Sequence, residues 1–232
     1  MDFYHSLGSL KSAELAFKLA KPIDFVFMTL KILEQIITWG ESDEKDNIAM
    51  PYLYVDSKRL HRAFIVKNNQ IVSFSFPFAV YTKKGSRQVC INYRSIKLDA
   101  TLISEATSIA NEYKKANSFA EVANSLDLAD HQVKDAVTVF ETILSLEPSY
   151  MRYDYDQKSS NGQMHPMYHI DVNFTKDSSY KIGLYAPASM PKIVSILSQS
   201  SRCFYLEQYM AKWYSKIRRK VKRYVHRRMK RL

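Results

Sequence analysis

Only two cysteines, Cys90 and Cys203, occur in the 232 residues, and neither has a Cys or His neighbour at ligand spacing. That usage argues against a disulfide framework or a thiolate metal centre and fits a reducing compartment. Glycine is scarce, at five residues. Ser6 with Gly8, and Lys84-Gly85-Ser86-Arg87, lack the remainder of any phosphate-loop pattern, so Lys83, Lys84 and Arg87 read as a solvated hairpin tip. The longest apolar run, Ile23 to Leu30, is interrupted by Asp24 and Thr29 and falls well short of a bilayer span. With acidic Asp2 near the start in place of a charged-then-apolar leader, the expectation is a cytoplasmic protein.

What is present is a globular composition, 46% apolar and 13% aromatic. The charge is unevenly placed. Of the 34 Lys and Arg residues eleven lie in Lys212–Leu232, which holds no acid, leaving 23 bases against all 23 acids in the rest of the chain. The net charge of +11 thus belongs to the last segment alone, and a localised excess says more about partners than the isoelectric point does.

Periodicity along the chain predicts an α+β fold: N-terminal helices, an antiparallel sheet, a central helix pair, then a C-terminal hairpin and a basic helix. Leu15, Leu19, Phe25, Met28, Ile32, Leu33, Ile36 and Ile37 follow helical spacing over residues 10–39, with a break at Pro22. Short β-branched and aromatic runs follow at Tyr52–Val55, Ala63–Val66, Ile71–Phe76, Phe78–Tyr81 and Val89–Tyr93; they predict an antiparallel meander with Ser73 and Ser75 on a solvated face. From Asp99 the period is helical again. Residues 118–145 have helix-turn-helix spacing with Asp130 as a cap, but Asp127 replaces the usual turn glycine. Asp130, Asp135 and Glu141 on the second helix repel phosphate, which favours an ordinary helix pair. Residues 1–206 are expected to form one α+β domain and 207–232 a helical appendage.

After Pro148 comes the stretch with the densest chemistry. If both halves of Met151–Phe174 are extended, Arg152, Asp154 and Asp156 share one face of the first strand, and His169, Asp171 and Asn173 share one face of the second. Tyr153, Tyr155, Ile170, Val172 and Phe174 occupy the other faces. A hairpin is predicted, apolar on one side and titratable on the other, and that pattern suits either a site or a polar network holding the fold.

Arg152-Tyr153-Asp154-Tyr155-Asp156, His165-Pro166 followed by His169, Pro187 and Pro191 in a loop, and Phe204-Tyr205 after an apolar helix make an ordered set. Over about residues 148–206 the set resembles the C-terminal signature of an uncharacterised bacterial family of domains of unknown function, the 2290 family. The resemblance implies a bacterial or phage setting among mobile or defence genes, brings no established activity, and marks Arg152, Asp154, Asp156, His165 and His169. The chain departs from the pattern in having Lys181 where an arginine is expected, and in its helix-turn-helix-like segment.

Two chemistries suit the hairpin. Asp154, Asp156, His169 and Asp171 could ligate a divalent ion, Mg²⁺ or Mn²⁺, with imidazole shifting preference towards Mn²⁺, Zn²⁺ or Ni²⁺. Alternatively His165 and His169 could act as general base and acid for RNA cleavage, with Arg152 or Lys181 stabilising phosphoryl charge. The bland alternative is that Arg152 and His169 merely pair with the neighbouring carboxylates.

In the basic segment the nucleic-acid contacts expected are Lys212, Trp213, Lys216, Arg218, Arg219, Lys220, Lys222, Arg223, Arg227, Arg228, Lys230 and Arg231. Arginines fork onto phosphates, and Trp213, Tyr214 and Tyr224 could stack on bases. Rival partners are an anionic membrane surface and a protein with an acidic surface. The expected function is nucleic-acid binding, RNA preferred, by an accessory or effector protein of a defence or toxin-type system. The alternatives are a nuclease acting at the 152–173 hairpin and a protein-interaction module tethered by its basic tail.

Overall fold

The structure, a computed structural model, describes residues 2–7, 19–44, 47–83, 86, 88–116, 119–126, 128–162, 164–175, 177–198 and 200–201. The segment 10–18 and the basic segment 207–232, both expected to be helical, lie outside the described residues. The chain divides into two compact units, Met1–Ser189 and Met190–Leu232.

The fold is α+β, and three of the four helices described in the first unit start at identifiable caps. Helix α1 (Pro22–Trp39) has proline in its first turn, and Asp24 Oδ2 accepts the Ala20 and Lys21 amides at 2.9 and 2.8 Å. It stops at Gly40, whose φ of 71° lies in the left-handed region and whose amide donates to Ile36 O. Helix α2 (Ala100–Lys115) is capped by Asp99 through the Leu102 amide at 3.0 Å. The short α3 (Phe119–Ser125) leads to α4 (His131–Ser145), capped by Asp130 through the Gln132 amide at 2.7 Å. Among the described residues the second unit contributes one helix, α5 (Met190–Leu197). No helix of the described residues is long and apolar enough to cross a membrane.

Seven strands make one antiparallel sheet: β1 (Asp2–Ser6), β2 (Tyr52–Asp56), β3 (Arg62–Lys67), β4 (Gln70–Ser75), β8 (Met151–Tyr155), β9 (Tyr168–Val172) and β10 (Tyr180–Leu184), adjacent in that order. Strands β5 (Ala79–Thr82), β6 (Val89–Tyr93) and β7 (Ile96–Leu98) form a separate three-stranded sheet. Helices α1, α2 and α4 pack on one another. They cover one face of the large sheet, where Phe25 of α1 meets Phe74 of β4 edge-on with ring centroids 5.8 Å apart. Phe3, Val55, Ala63 and Phe74 lie side by side across β1 to β4 on that face and belong to the core cluster.

The next row on the same face decides where the chemistry falls. It runs His5, Leu53, Ile65, Val72, Arg152, Asp171, Lys181 from β1 to β10. Beyond His5 its members are apolar on β2 to β4 and charged on β8 to β10. The other face is buried too, through Phe64, Val66, Ile71, Tyr153 and Ile170. Ser73, expected to face solvent, is fully buried on that side; its Oγ accepts from Arg62 Nε at 2.9 Å, while Arg62 Nη2 reaches Ser149 O at 2.5 Å. Burial pulls the Arg62 guanidinium down to about 10. The serine alternation signalled a polar neighbour rather than water.

Asp56 closes the β2–β3 turn from a fully buried position. Its carboxylate accepts the Arg59 amide at 2.9 Å, the Lys58 and Leu60 amides at 3.3 and 3.4 Å, and the Tyr54 hydroxyl at 3.2 Å. Burial pushes its carboxyl up, but the Arg59 and Leu60 amides, the Arg59 guanidinium and Tyr54 outweigh that and hold it below the usual carboxylate range. A depressed carboxyl stabilises the fold above its unfolded value and loses that contribution as pH falls through the folded one. Asp56→Ala should lower unfolding free energy by about 2 kcal/mol at neutral pH, from backbone donors left unpaired in the interior. Urea denaturation at pH 7 and again near pH 3 measures it, and the deficit should narrow at the lower pH.

Candidate functional site

Strands β8 and β9 pair so that Arg152 lies opposite Asp171 and Asp154 opposite His169; β10 adds Lys181 beside Asp171 and Gly183 beside His169, while β4 adds Gln70 beside Asp154. With side chains alternating along each strand, these residues emerge on one face. Arg152 bridges the carboxylates: Nε donates to Asp154 Oδ2 at 2.6 Å and Nη2 to Asp171 Oδ2 at 2.5 Å. The remaining oxygens are also engaged, Asp154 Oδ1 by Gln70 Nε2 at 2.8 Å and Asp171 Oδ1 by Lys181 Nζ at 2.6 Å. Burial acts to lower the Arg152 guanidinium, but Asp154, Tyr150 and Asp171 hold it above its ordinary value.

His169 is the deepest member, at 1% exposure. Its Nδ1 lies 2.8 Å from Pro166 O; a carbonyl only accepts, so Nδ1 carries the hydrogen. Nε2 then faces Asp154 Oδ2 at 3.6 Å and Asp171 Oδ2 at 3.9 Å. The loop that supplies Pro166 folds tightly over the sheet. A Cβ on Gly183 would stand 2.9 Å from Pro166 Cγ, so glycine at this register position is what admits the proline.

A second pair sits beside the first. Asp156 Oδ2 is 3.3 Å from His165 Nε2, and the His165 and His169 rings meet edge-to-face at 4.7 Å. The Ser159 amide, first of all, holds the Asp156 carboxyl below the usual range; desolvation opposes it, and the Ser159 and His165 side chains add to the lowering. A cleft of about 610 Å³ is lined by Asp154, Asp156, His165 and His169, with Lys67, Asn68, Asn69 and Gln70 of the β3–β4 hairpin as another wall. A neighbouring cleft of about 290 Å³ is lined by Asp171 and Lys181, and Arg152 lines both.

Of the expected site residues, Arg152, Asp154, His169, Asp171 and Lys181 come together in one cluster, with His165 against His169. Ligand atoms of Asp154, His169 and Asp171 all lie within 4.8 Å of one another; Asp156, expected among the metal ligands, is not in that group. The strand ends at Tyr155, so alternation no longer governs residue 156, and its carboxylate turns to Ser159 and His165. All twelve expected nucleic-acid contacts, from Lys212 to Arg231, lie outside the described residues. Sequence reasoning did not single out Gln70 or Gly183, and noted Pro166 only as part of the His165-Pro166 motif, without a role for its carbonyl. A strand glycine is a signal of close approach, and it could have drawn attention to position 183.

No protein-family model, curated protein or solved structure matches the chain.

The bridging role of Arg152 is directly testable. Arg152→Ala leaves two partly buried carboxylates without their shared cation and should cost about 2–3 kcal/mol of stability. Adding Asp154→Asn should restore about half by removing one of the repelling charges. Thermal denaturation of the single and double variants measures this coupling, and a second substitution that merely adds to the loss would contradict the bridge.

Proposed function

We propose that the protein binds nucleic acid, preferentially RNA, and cleaves its phosphodiester backbone at the cleft beside His165 and Arg152. The observation that carries this reading is the arrangement in one cleft of an imidazole oriented by a carboxylate, His165 with Asp156 at 3.3 Å, beside cationic Arg152 and the polar Lys67–Gln70 wall. An imidazole titrates near neutrality and can take or return a proton during cleavage. RNA supplies its own 2′-hydroxyl nucleophile, so a positioned proton-transfer group and cations for the phosphoryl oxygens are the parts required. Lys67, Asn68 and Asn69 offer donors to phosphate or to base edges along the wall. Attraction of the polymer comes from the eleven Lys and Arg residues of Lys212–Leu232, because the rest of the chain is charge-balanced.

Purified protein incubated with labelled RNA and DNA tests both halves. Wild type is expected to cleave RNA, and His165→Ala to reduce the rate by about a hundredfold or more with retention on RNA unchanged. Changing Arg218, Arg219 and Lys220 together to Glu should weaken retention and flatten its dependence on salt. Wild-type protein that leaves RNA intact removes the cleavage reading, and retention indifferent to these three substitutions removes the assigned binding segment.

A further inference from the structure

His169 presents a chemical problem that the protein's own groups leave open. Its ring is 1% exposed, Nδ1 is committed to Pro166 O, and Nε2 faces two carboxylate oxygens at 3.6 and 3.9 Å. Both separations exceed hydrogen-bonding range. With Nδ1 carrying the hydrogen, Nε2 of the neutral ring presents its lone pair towards the two carboxylate oxygens and the cleft that His169 lines. Such a convergence of one imidazole and two carboxylates is a donor set for a metal ion.

Three features favour the metal. Each carboxylate spends about two of its roughly four acceptor sites on Arg152, Lys181 and Gln70, and the rest remain for an ion. Bonds of about 2.1 Å place neighbouring ligand atoms about 3–3.5 Å apart; Nε2 lies 3.6 and 3.9 Å from the two carboxylate oxygens, and all three ligand atoms fall within 4.8 Å of one another. Pro166 O, meanwhile, holds the imidazole from behind in the tautomer that coordinates through Nε2.

We infer that Asp154, His169 and Asp171 form a three-ligand site for a divalent transition ion of the Mn²⁺ and Zn²⁺ type. One imidazole with two carboxylates suits such ions better than Mg²⁺, which favours all-oxygen octahedra and keeps its waters. Asp154 and His169 line the larger cleft, so the remaining coordination positions are reached from there. The loaded cluster has an ion, Arg152 and Lys181 against two carboxylates, a surplus of positive charge that an anionic ligand would complete. The inference rests on the phosphodiester reading only for the ion's role; the binding itself is independent of nucleic acid.

Full-length protein stripped with chelator and titrated with MnCl₂, ZnCl₂ and MgCl₂ in a calorimeter tests the inference. One Mn²⁺ or Zn²⁺ per chain is expected, with Mg²⁺ about tenfold weaker or more. Asp171→Asn, checked for folding by circular dichroism, should weaken Mn²⁺ about tenfold to a hundredfold, a loss on the scale seen when a metal's supporting groups are removed. Should that variant fail to fold, wild-type NMR decides: Mn²⁺ should broaden amides centred on Asp154, His169 and Asp171. Absence of stoichiometric binding, broadening centred elsewhere, or a His169 ring protonated on both nitrogens at saturating Zn²⁺ overturns the site. RNA cleavage that persists without metal binding removes this inference alone, and metal binding without cleavage removes only the phosphodiester reading.

Discussion

Arg152 is the group on which the charged end of the sheet depends. The ligand oxygens of Asp154 and Asp171 lie within 4.8 Å of each other, where two bare charges repel by about 3 kcal/mol at an effective dielectric of about 20. One guanidinium meets both, with its fork spanning adjacent strands of the β8–β9 pair. A lysine has no such geometry and would serve one carboxylate at a time, as Lys181 does for Asp171. With the bridge in place the carboxylates can stay close to His169 without forcing β9 away from β8. Everything proposed about metal or phosphate chemistry presupposes that neutralised but densely polar patch.

The hairpin could be read from residues because its contacts are local and its period is two. Arg152, Asp154, His169 and Asp171 fall on one face in the sequence pattern and do so in the sheet. Asp156, one step past the end of β8, lines the same cleft as Asp154, but its carboxylate is held by the turn, through Ser159 and His165. Gln70 was invisible in the sequence: it reaches Asp154 only because β4 pairs with β8, and no local signal specifies that crossing. Gly183 gains meaning only from Pro166 above it. The α+β class was legible because long helical periods and aromatic strand runs are strong signals, whereas β1 and β7, at five and three residues, carry little periodicity of their own. Ser73 misled because alternation reports polarity, and Arg62 answers that polarity within the interior.

The distribution of charge divides the work. The cluster is internally compensated, so it cannot draw a polyanion from a distance, while the surplus of Lys and Arg sits in the final segment of the chain. Long-range attraction and local chemistry are assigned to different parts of the sequence. Salt should weaken the proposed capture of nucleic acid while leaving short, partly buried contacts such as Arg152 to Asp171 largely intact.

The pairing of β4 with β8 also bears on the order in which the molecule can be built. Joining Ser73 to Met151 closes a loop of roughly 77 residues that contains the small sheet and helices α2 to α4, and the entropy of that closure delays the contact relative to neighbouring hairpins. The three-strand meander of β8, β9 and β10, by contrast, needs only short turns to bring Arg152, Asp154, His169, Asp171 and Lys181 together. The charged cluster therefore belongs to a nearly self-contained stretch of chain, and the wall that gives it a cleft arrives from a distant part of it. A nascent or partly unfolded molecule would carry the cluster without the enclosure, so the cleft itself exists only in the complete fold.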